Sequence, residues 1–234
     1  NGVTGGTVIP LTPFAGSLTA DELTRYPQLG GYALFKVPAG ISAATVAQAL
    51  KSQLAVSAVG EDGALKYATG VQTFGALDAL FYYPGPLGVM FDQSGHGAHA
   101  AKTVSVAVWA PTAQSVDLLL WPATGTNRPD TTAAPQRVAM ARQSDGAWTV
   151  RGDASWKGAA YRYAVSVYVP STDKVEVNEV TDPSSVALTL NSTHSVLVDL
   201  ADPAYLPRQW EKAKQPVVAP VDQTIYELHV RDFS

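Results

Sequence analysis

Alternation of apolar and polar residues is the dominant pattern of the chain from Val104 onward. Residues 104–108 place three valines on one face of a predicted strand, because side chains two positions apart share a face. After a turn at residues 111–114, residues 116–121 alternate in the same way, and Trp121 falls on the outward face. We expect these two strands to pair as a hairpin.

The same pattern continues towards the C-terminus, with turn residues between the apolar runs. A second hairpin is predicted around the turn at Asp145 and Gly146. The further predicted strands cover residues 138–142, 148–151, 161–169 and 196–200. Strands at roughly ten-residue spacing with turn signals between them are typical of a β-sandwich.

The first hundred residues are less regular and combine strand patterns with helical ones. Strands are predicted at residues 32–37, 54–59 and 65–68, the last two joined by a turn at Asp62 and Gly63. Helices are predicted from Thr19 to Arg25 and from Ser42 to Leu50, since each begins with a hydroxyl group that can cap a helix. We interpret this region as a second β-rich, sandwich-like domain.

Two irregular segments divide the chain. Residues 95–101 consist of Gly, His and Ala without periodicity and predict a linker, and residues 203–220 contain four prolines. A last strand is predicted at residues 224–230. We therefore expect a mainly β protein with domains at residues 1–98, 99–206 and 207–234, the first two being β-sandwich-like domains in tandem.

Composition and charge narrow the choice of partner. Only 15% of residues are charged and the formal net charge is −4, so no basic surface is expected to attract nucleic acid or an anionic membrane. The chain has no Cys, which excludes disulfides, thiolate metal sites and cysteine nucleophiles. It has no apolar run long enough to span a membrane, and it begins at Asn1 without a leader, as expected of an excised piece.

Few residues have the spacing that catalysis or metal binding requires. His96 and His99 are three residues apart, but the glycines around them make a metal-binding helix implausible and favour a linker. A Ser-His-Asp set could be assembled from His194, Ser195 and Asp199, yet a chain of this length offers such sets by chance. We assign no catalytic residue and no metal ligand. The glycosylation pattern at residues 191–193 is interpreted only as a surface loop.

The five tryptophans are more informative, because exposed indole rings can stack on the flat faces of sugars. Trp148 shares a face with Val150 and is predicted to lie in the core, and Trp109 is also expected to pack. Trp121 and Trp156 are the two candidate carbohydrate-binding residues. For Trp121 a sugar platform and a contact between domains both stay open, whereas for Trp156 packing is the favoured alternative.

Several motifs resemble a known family. The runs VAVWAPTAQSVDLLLW, DGAW, YRYAVSVY and EVTDP resemble the family-48 carbohydrate-binding module of starch-debranching enzymes. The final run QTIYELHVRDFS resembles the first barrel strand of glycoside hydrolase family 13, which implies the first strand of a truncated (β/α)8 barrel. The upstream runs YPQLGGYALFKVPAG, LKSQLAVSAVGEDG and GALDALFYYPGPLG resemble the N-terminal domain of pullulanases, above all those of the plant limit-dextrinase type.

The resemblance implies an enzyme that hydrolyses α-1,6 linkages in pullulan and starch limit dextrins with retention of configuration. A retaining glycosidase needs two carboxyl groups about 5–5.5 Å apart, and a barrel takes roughly 250 residues. None of the family's catalytic carboxylates matches a residue here, and Glu227 and Asp232 match structural positions. This chain is therefore expected to be inactive alone, with α-glucan and the parent's catalytic barrel as partners.

The resemblance also implies a location and a cofactor for the parent protein. The plant-type similarity implies a plastid, whereas bacterial relatives are secreted. We expect no cofactor in this chain, and a calcium ion is an open possibility for the parent's barrel. An isoamylase, a branching enzyme and a stand-alone α-glucan-binding module remain alternatives, as does an immunoglobulin-like interaction protein.

Two departures from the family pattern bear on sugar binding. Ser184 stands where relatives have an aromatic residue after the Asp-Pro of the EVTDP run. Residues 174–177 contain no aromatic residue where glycogen-binding members have their second tryptophan, so only Trp121 approximates that pair. Glucan binding and scaffolding of the barrel both stay open for the module.

Overall fold

The computed structural model describes residues 3–92, 103–123, 129–202, 205, 207–214 and 216–233. The chain separates into two units, residues 1–198 and 199–234. The predicted linker at residues 95–101, the domain boundary at 98/99 and both His96 and His99 lie outside the described residues.

The first region of unit one combines short strands with short helices. Its elements are β1 (Thr12–Phe14), α1 (Ala20–Arg25), β2 (Leu34–Lys36), α2 (Ala43–Ala49), β3 (Ala55–Val59), β4 (Leu65–Gly70) and α3 (Phe74–Leu80). The two helices predicted from capping residues are confirmed: Thr19 and Glu22 form a reciprocal capping box, and Ser42 Oγ accepts from the Thr45 amide. The hairpin of β3 and β4 is also confirmed, with Gly63 at φ +74° in its turn.

The described part of this region does not form the sandwich-like domain that we predicted. β1 pairs only with β2, and β3 only with β4. Two separate two-stranded ladders cannot enclose a core between two sheets, because each strand has only three to six residues. Leu50 and Phe81 are its buried hydrophobic residues, while many of its other large apolar side chains are exposed.

The second region contains two larger antiparallel sheets. Its strands are β5 (Gly88–Phe91), β6 (Thr103–Trp109), β7 (Ser115–Trp121), β8 (Gln136–Ala139), β9 (Ala141–Arg142), β10 (Ala147–Asp153), β11 (Ala160–Val169), β12 (Lys174–Val180) and β13 (Ser195–Val196). One sheet has the order β5-β6-β10-β9. The other has the order β12-β11-β7-β8, with β13 paired to β11.

The two sheets share one hydrophobic core. Side chains of β6 and β10 meet those of β7 and β11 in it, and the largest fully buried ones are Tyr161, Tyr163 and Leu118. Alternation places these residues on the inner faces, as the sequence pattern predicted. The prediction of a mainly β protein is confirmed by these antiparallel sheets.

The predicted hairpin between the first two strands is wrong. β6 pairs with β5 and β10, whereas β7 pairs with β11 and β8, so the turn after β6 carries the chain from one sheet to the other. Residues 138–142 carry the chain back from the second sheet to the first, because β8 pairs with β7 while β9 pairs with β10. Short local turns do not reveal such crossings, since strands that face each other across a core show the same alternation as paired strands.

Strands at the edges were the hardest to predict. β1, β5 and β12 were missed, and the strand predicted at 196–200 is shortened to β13. β12 pairs with β11 over Tyr163 to Val169 and contains valines separated by Glu and Asn. The strand predicted at 161–169 is confirmed as β11.

Unit two contains short helical turns. They are two 3₁₀ turns, Trp210–Lys212 and Pro220–Asp222, and α4 (Val230–Phe233). Residues 224–229 are in no strand, so the predicted barrel strand does not form here. A lone parallel strand has no neighbour to accept or donate its backbone hydrogen bonds, which accounts for the difference. Among the described residues, no helix is both long and apolar enough to cross a membrane.

Candidate functional site

Trp121, the first candidate sugar-binding residue, lies on the outer face of the sheet that contains β7, as the alternation along the strand predicted. That face is covered, however, and Trp121 is only 6% exposed. It packs with Leu119, Ala160 and Ala164 in a second small cluster, and its Nε1 donates to the Ala133 carbonyl at 2.7 Å. With its ring enclosed, Trp121 offers no open face for stacking in this structure.

His194 closes one side of the Trp121 ring. The two rings meet edge to face with centroids 4.6 Å apart, and His194 is 7% exposed. Burial lowers the pKa of His194, and the positive charge of Arg162 lowers it further, while Glu179 opposes them. A neutral imidazole beside an indole is therefore the form that the fold favours.

Trp156, the second candidate, sits at the end of the 3₁₀ turn Ala154–Trp156 and is half-buried. Its ring packs against the core between the two sheets, and a Cβ at Gly152 would overlap the indole. Trp156 therefore fills a space that glycine leaves open. Because Trp121 belongs to the cluster on the outer face, the two candidate residues do not share a surface.

The remaining strand tryptophans pack as predicted. Trp148 is 6% exposed within the core, and its Nε1 donates to the Ala110 carbonyl at 3.0 Å. Trp109 is half-buried, and its Nε1 is 2.8 Å from the Phe81 carbonyl and 3.2 Å from the Asp145 carbonyl. Trp109 thus ties the first region to the second.

The Asp of the EVTDP motif, Asp182, carries a buried carboxylate. Asp182 is 4% exposed, and its Oδ2 accepts hydrogen bonds from Tyr161 Oη at 2.7 Å and Tyr163 Oη at 2.9 Å. Its Oδ1 accepts from the Ser184 amide at 2.7 Å, while its own amide donates to Ser195 Oγ at 2.9 Å. Several charge-assisted hydrogen bonds compensate for the loss of water around this carboxylate.

The two tyrosines respond to this environment. Burial raises the pKa of both Tyr161 and Tyr163, and the negative charge of Asp182 raises it further. Both hydroxyls therefore stay protonated and keep donating to Asp182. The network fastens the segment after β12 to the inner face of β11, which is a structural role.

The Ser-His-Asp set that we discounted is not assembled as a nucleophile and base. Ser195 Oγ accepts from the Asp182 amide, while His194 Nδ1 lies 3.1 Å from Thr193 Oγ1. Glu227 is exposed, and Asp232 lies beside His229 and Arg231 on the surface. Within the described ranges, no cluster of three or more His, Asp or Glu side chains could hold a metal ion.

An aromatic groove lies where the first region meets the second, and the sequence pattern did not predict it. The groove has a volume of about 430 Å³ and is lined by Asp78, Phe81, Tyr82, Tyr83, Leu87 and Trp109. A second groove of about 550 Å³ adjoins it and shares Asp78 and Tyr82. The available signal was the aromatic run FYY at 81–83, which follows an apolar helix and precedes a Pro-Gly-Pro turn.

Two protein families match the chain. Residues 1–79 match the pullulanase N2 domain, and residues 86–185 match carbohydrate-binding module 48, the isoamylase N-terminal domain. The aromatic groove is lined by residues from both matched segments and from the six residues between them.

Curated relatives of the chain are also pullulanases. Pullulanase 1, chloroplastic, of Arabidopsis thaliana is 37% identical over 97% of this chain and 22% of its own length. The pullulanase of Klebsiella pneumoniae is 37% identical over 90% of this chain and 18% of its own length. This chain thus spans about a fifth of the length of the curated relatives that it matches.

Solved structures agree with the sequence matches. The crystal structure of Klebsiella pneumoniae pullulanase complexed with maltotriose superimposes with a TM-score of 0.73 at 34% identity, over 88% of this chain and 18% of that one. The Klebsiella oxytoca structure gives 0.74 at 36% identity, with the same coverage of 88% and 18%. The predicted resemblance is confirmed: the chain is a homologue of pullulanases and carries their N2 domain followed by a carbohydrate-binding module 48 domain.

Proposed function

We propose that this chain is the non-catalytic N-terminal portion of an α-1,6-glucan debranching hydrolase of the pullulanase or limit-dextrinase type. The observation that carries the proposal is the pair of matched domains together with 37% identity to two pullulanases over at least 90% of the chain. The substrates of the whole enzyme would be pullulan and starch limit dextrins.

Catalysis belongs outside these residues under this proposal. A retaining mechanism requires a nucleophilic carboxylate and an acid at about 5–5.5 Å separation in a cleft. Asp182, a buried carboxylate, accepts hydrogen bonds from two tyrosines and an amide, and it lines neither of the two grooves. Residues 224–230 would become the first strand of the catalytic barrel once neighbouring strands supply hydrogen-bond partners.

Exposed apolar residues support a scaffolding role for the second region, which we assign as a β-sandwich. Val175 and Val177 share one face of the edge strand β12 and are 48% and 58% exposed. Val186, Leu188 and Leu190 are also exposed. Exposed apolar side chains mark a partner surface where they form one contiguous patch, and the partner that we propose for them is the parent's catalytic barrel.

The relatives support a cellular location for the parent protein. The Arabidopsis thaliana homologue is chloroplastic by name, which supports a plastid, while the Klebsiella homologues leave a bacterial, secreted form as the alternative. A calcium ion, if required, would be held by the barrel. Neither nucleic acid nor a membrane is among the proposed partners.

The test compares this chain with the longer protein that we propose contains it. Each is incubated with pullulan, and the release of reducing ends is measured. We expect release by the longer protein and none by the 234-residue chain. Turnover by the chain alone, or no action of the longer protein on pullulan, would contradict the proposal. A branching enzyme would transfer glucan chains without a net gain in reducing ends.

A further inference from the structure

We propose that the aromatic groove at the junction of the two regions is an α-glucan-binding subsite, with Tyr82 as its stacking platform and Asp78 as a polar anchor. The inference rests on the proposed function for the identity of the sugar. It places binding at a surface different from those of Trp121 and Trp156.

Exposure distinguishes Tyr82 from the two candidate tryptophans, Trp121 and Trp156. Its side chain is 74% exposed and lines both adjoining grooves, whereas Trp121 is 6% exposed. A phenol ring combines an apolar face with a polar edge, and its negative face attracts the partly positive C–H groups of a pyranose ring. Tyr82 can therefore stack on a sugar without any rearrangement of the core.

Fixed neighbours hold the groove open. Phe81 is 5% exposed and ends α3, its amide donating to the Leu77 carbonyl at 2.9 Å. The Trp109 indole donates to the Phe81 carbonyl at 2.8 Å, and Arg142 lies over the Phe81 ring, 5.4 Å from its centroid. Tyr83 Oη donates to the Pro86 carbonyl at 3.1 Å and so fixes the turn that follows. A wall of this kind lowers the entropy lost on binding.

The chemistry of the lining fits a neutral carbohydrate. Aromatic side chains dominate it, and the carboxylate of Asp78 can accept hydrogen bonds from sugar hydroxyls. The adjoining groove adds Arg25 as a further polar group beside Tyr26. Each volume falls within the range of roughly 300–1,000 Å³ that is typical of small-molecule sites. Short oligosaccharides suit this combination better than ionic ligands do.

The matched families supply the reason to choose a sugar over another occupant. The segment 86–185, which contributes Leu87 and Trp109 to the groove, matches a family described as a carbohydrate-binding module. Exposed apolar surface in a chain with 15% charged residues also suits an uncharged polymer.

The experiment measures binding of maltohexaose to the 234-residue chain by isothermal titration calorimetry, with cellohexaose as the β-linked comparison. Tyr82→Ala is the main variant, and Asp78→Asn is the second. Tyr67→Ala is the matched control, because Tyr67 is an exposed tyrosine of β4 that lines neither groove. All three side chains are on the surface, so the variants are expected to fold, which circular dichroism verifies.

We expect maltohexaose binding that weakens at least about tenfold in Tyr82→Ala, weakens less in Asp78→Asn and is unchanged in Tyr67→Ala. No binding at millimolar sugar, or equal binding by Tyr82→Ala and the wild type, would overturn the subsite but leave the debranching proposal intact, since that proposal is tested by pullulan hydrolysis. Tyr82-dependent binding that favours cellohexaose would overturn the assignment to α-glucan.

Discussion

Replacing Asp182 by Ala should destabilise the chain more than any exposed carboxylate change, because the buried network depends on this one side chain. The substitution leaves Tyr161 Oη, Tyr163 Oη and the Ser184 amide without their acceptor. Both tyrosines are 0% exposed, so their hydroxyls lie away from bulk water. A buried polar group without a partner costs about 1–3 kcal/mol, and the two hydroxyls together therefore cost roughly 2–6 kcal/mol.

That magnitude is a large part of the stability of an ordinary domain, which is about 5–15 kcal/mol. Urea unfolding followed by tryptophan fluorescence measures the change in the free energy of unfolding. Asp117→Ala is the matched control, since Asp117 lies on β7 and pairs with the exposed Arg137 at 2.9 Å. A pair of this kind contributes about 0–1 kcal/mol, so its loss should be small.

A second substitution tests the cause. Tyr163→Phe should destabilise the wild type, because it removes a hydrogen bond to the carboxylate. In the Asp182→Ala background, the same change removes a hydroxyl that has lost its acceptor and should be neutral or stabilising. Equal costs of Tyr163→Phe in both backgrounds would refute the reasoning.

Further predictions concern pH, packing and the C-terminal segment. Because the pKa values of Tyr161 and Tyr163 are raised, their contribution is complete below about pH 10 and is lost at higher pH, at about 1.4 kcal/mol per pH unit for each. Urea unfolding from pH 9 to 11 should therefore show a shallower fall for Tyr163→Phe than for the wild type, and parallel profiles would contradict this. The lowered pKa of His194 affects stability in the acid range. The contribution of neutral His194 to the free energy of unfolding is present above about pH 6.5 and is lost as pH falls through its lower folded-state pKa. The difference in stability between the wild type and His194→Gln should therefore narrow from pH 7 to 5. Trp121→Ala should cost about 3–5 kcal/mol in thermal or urea unfolding, as expected for a buried indole, and an unchanged stability would show that the ring is not packed. The amide of Ile225 should exchange with solvent faster than amides of the paired strands, and equally slow exchange would indicate a strand partner.

Sequence patterns predicted local structure better than they predicted pairing. Thr19 and Ser42 identified their helices correctly, because a cap is a local hydrogen bond. Alternation likewise placed Tyr161 and Leu118 in the core. The strands that pair with β6 and β7 could not be predicted in this way, since strand pairing depends on contacts between residues far apart in sequence.

The candidate site shows the same division. The alternation along β7 predicted that Trp121 lies on the outer face. The burial of that face, however, depends on residues outside this strand, including His194 and Ala133. Tyr82 and Trp109 both line the groove although 27 positions separate them in sequence, so the local run FYY at 81–83 indicates only part of its lining. The family resemblance succeeded because it rests on whole motifs spread along the chain.

The most direct measurement of the central proposal is proton NMR of a pullulan digest, which resolves the anomeric configuration of each new reducing end. The account predicts that the longer protein releases sugars first in the α configuration, as retention requires, and that an equal amount of the 234-residue chain releases none. New reducing ends from the chain alone, or β-configured products from the longer protein, would contradict it.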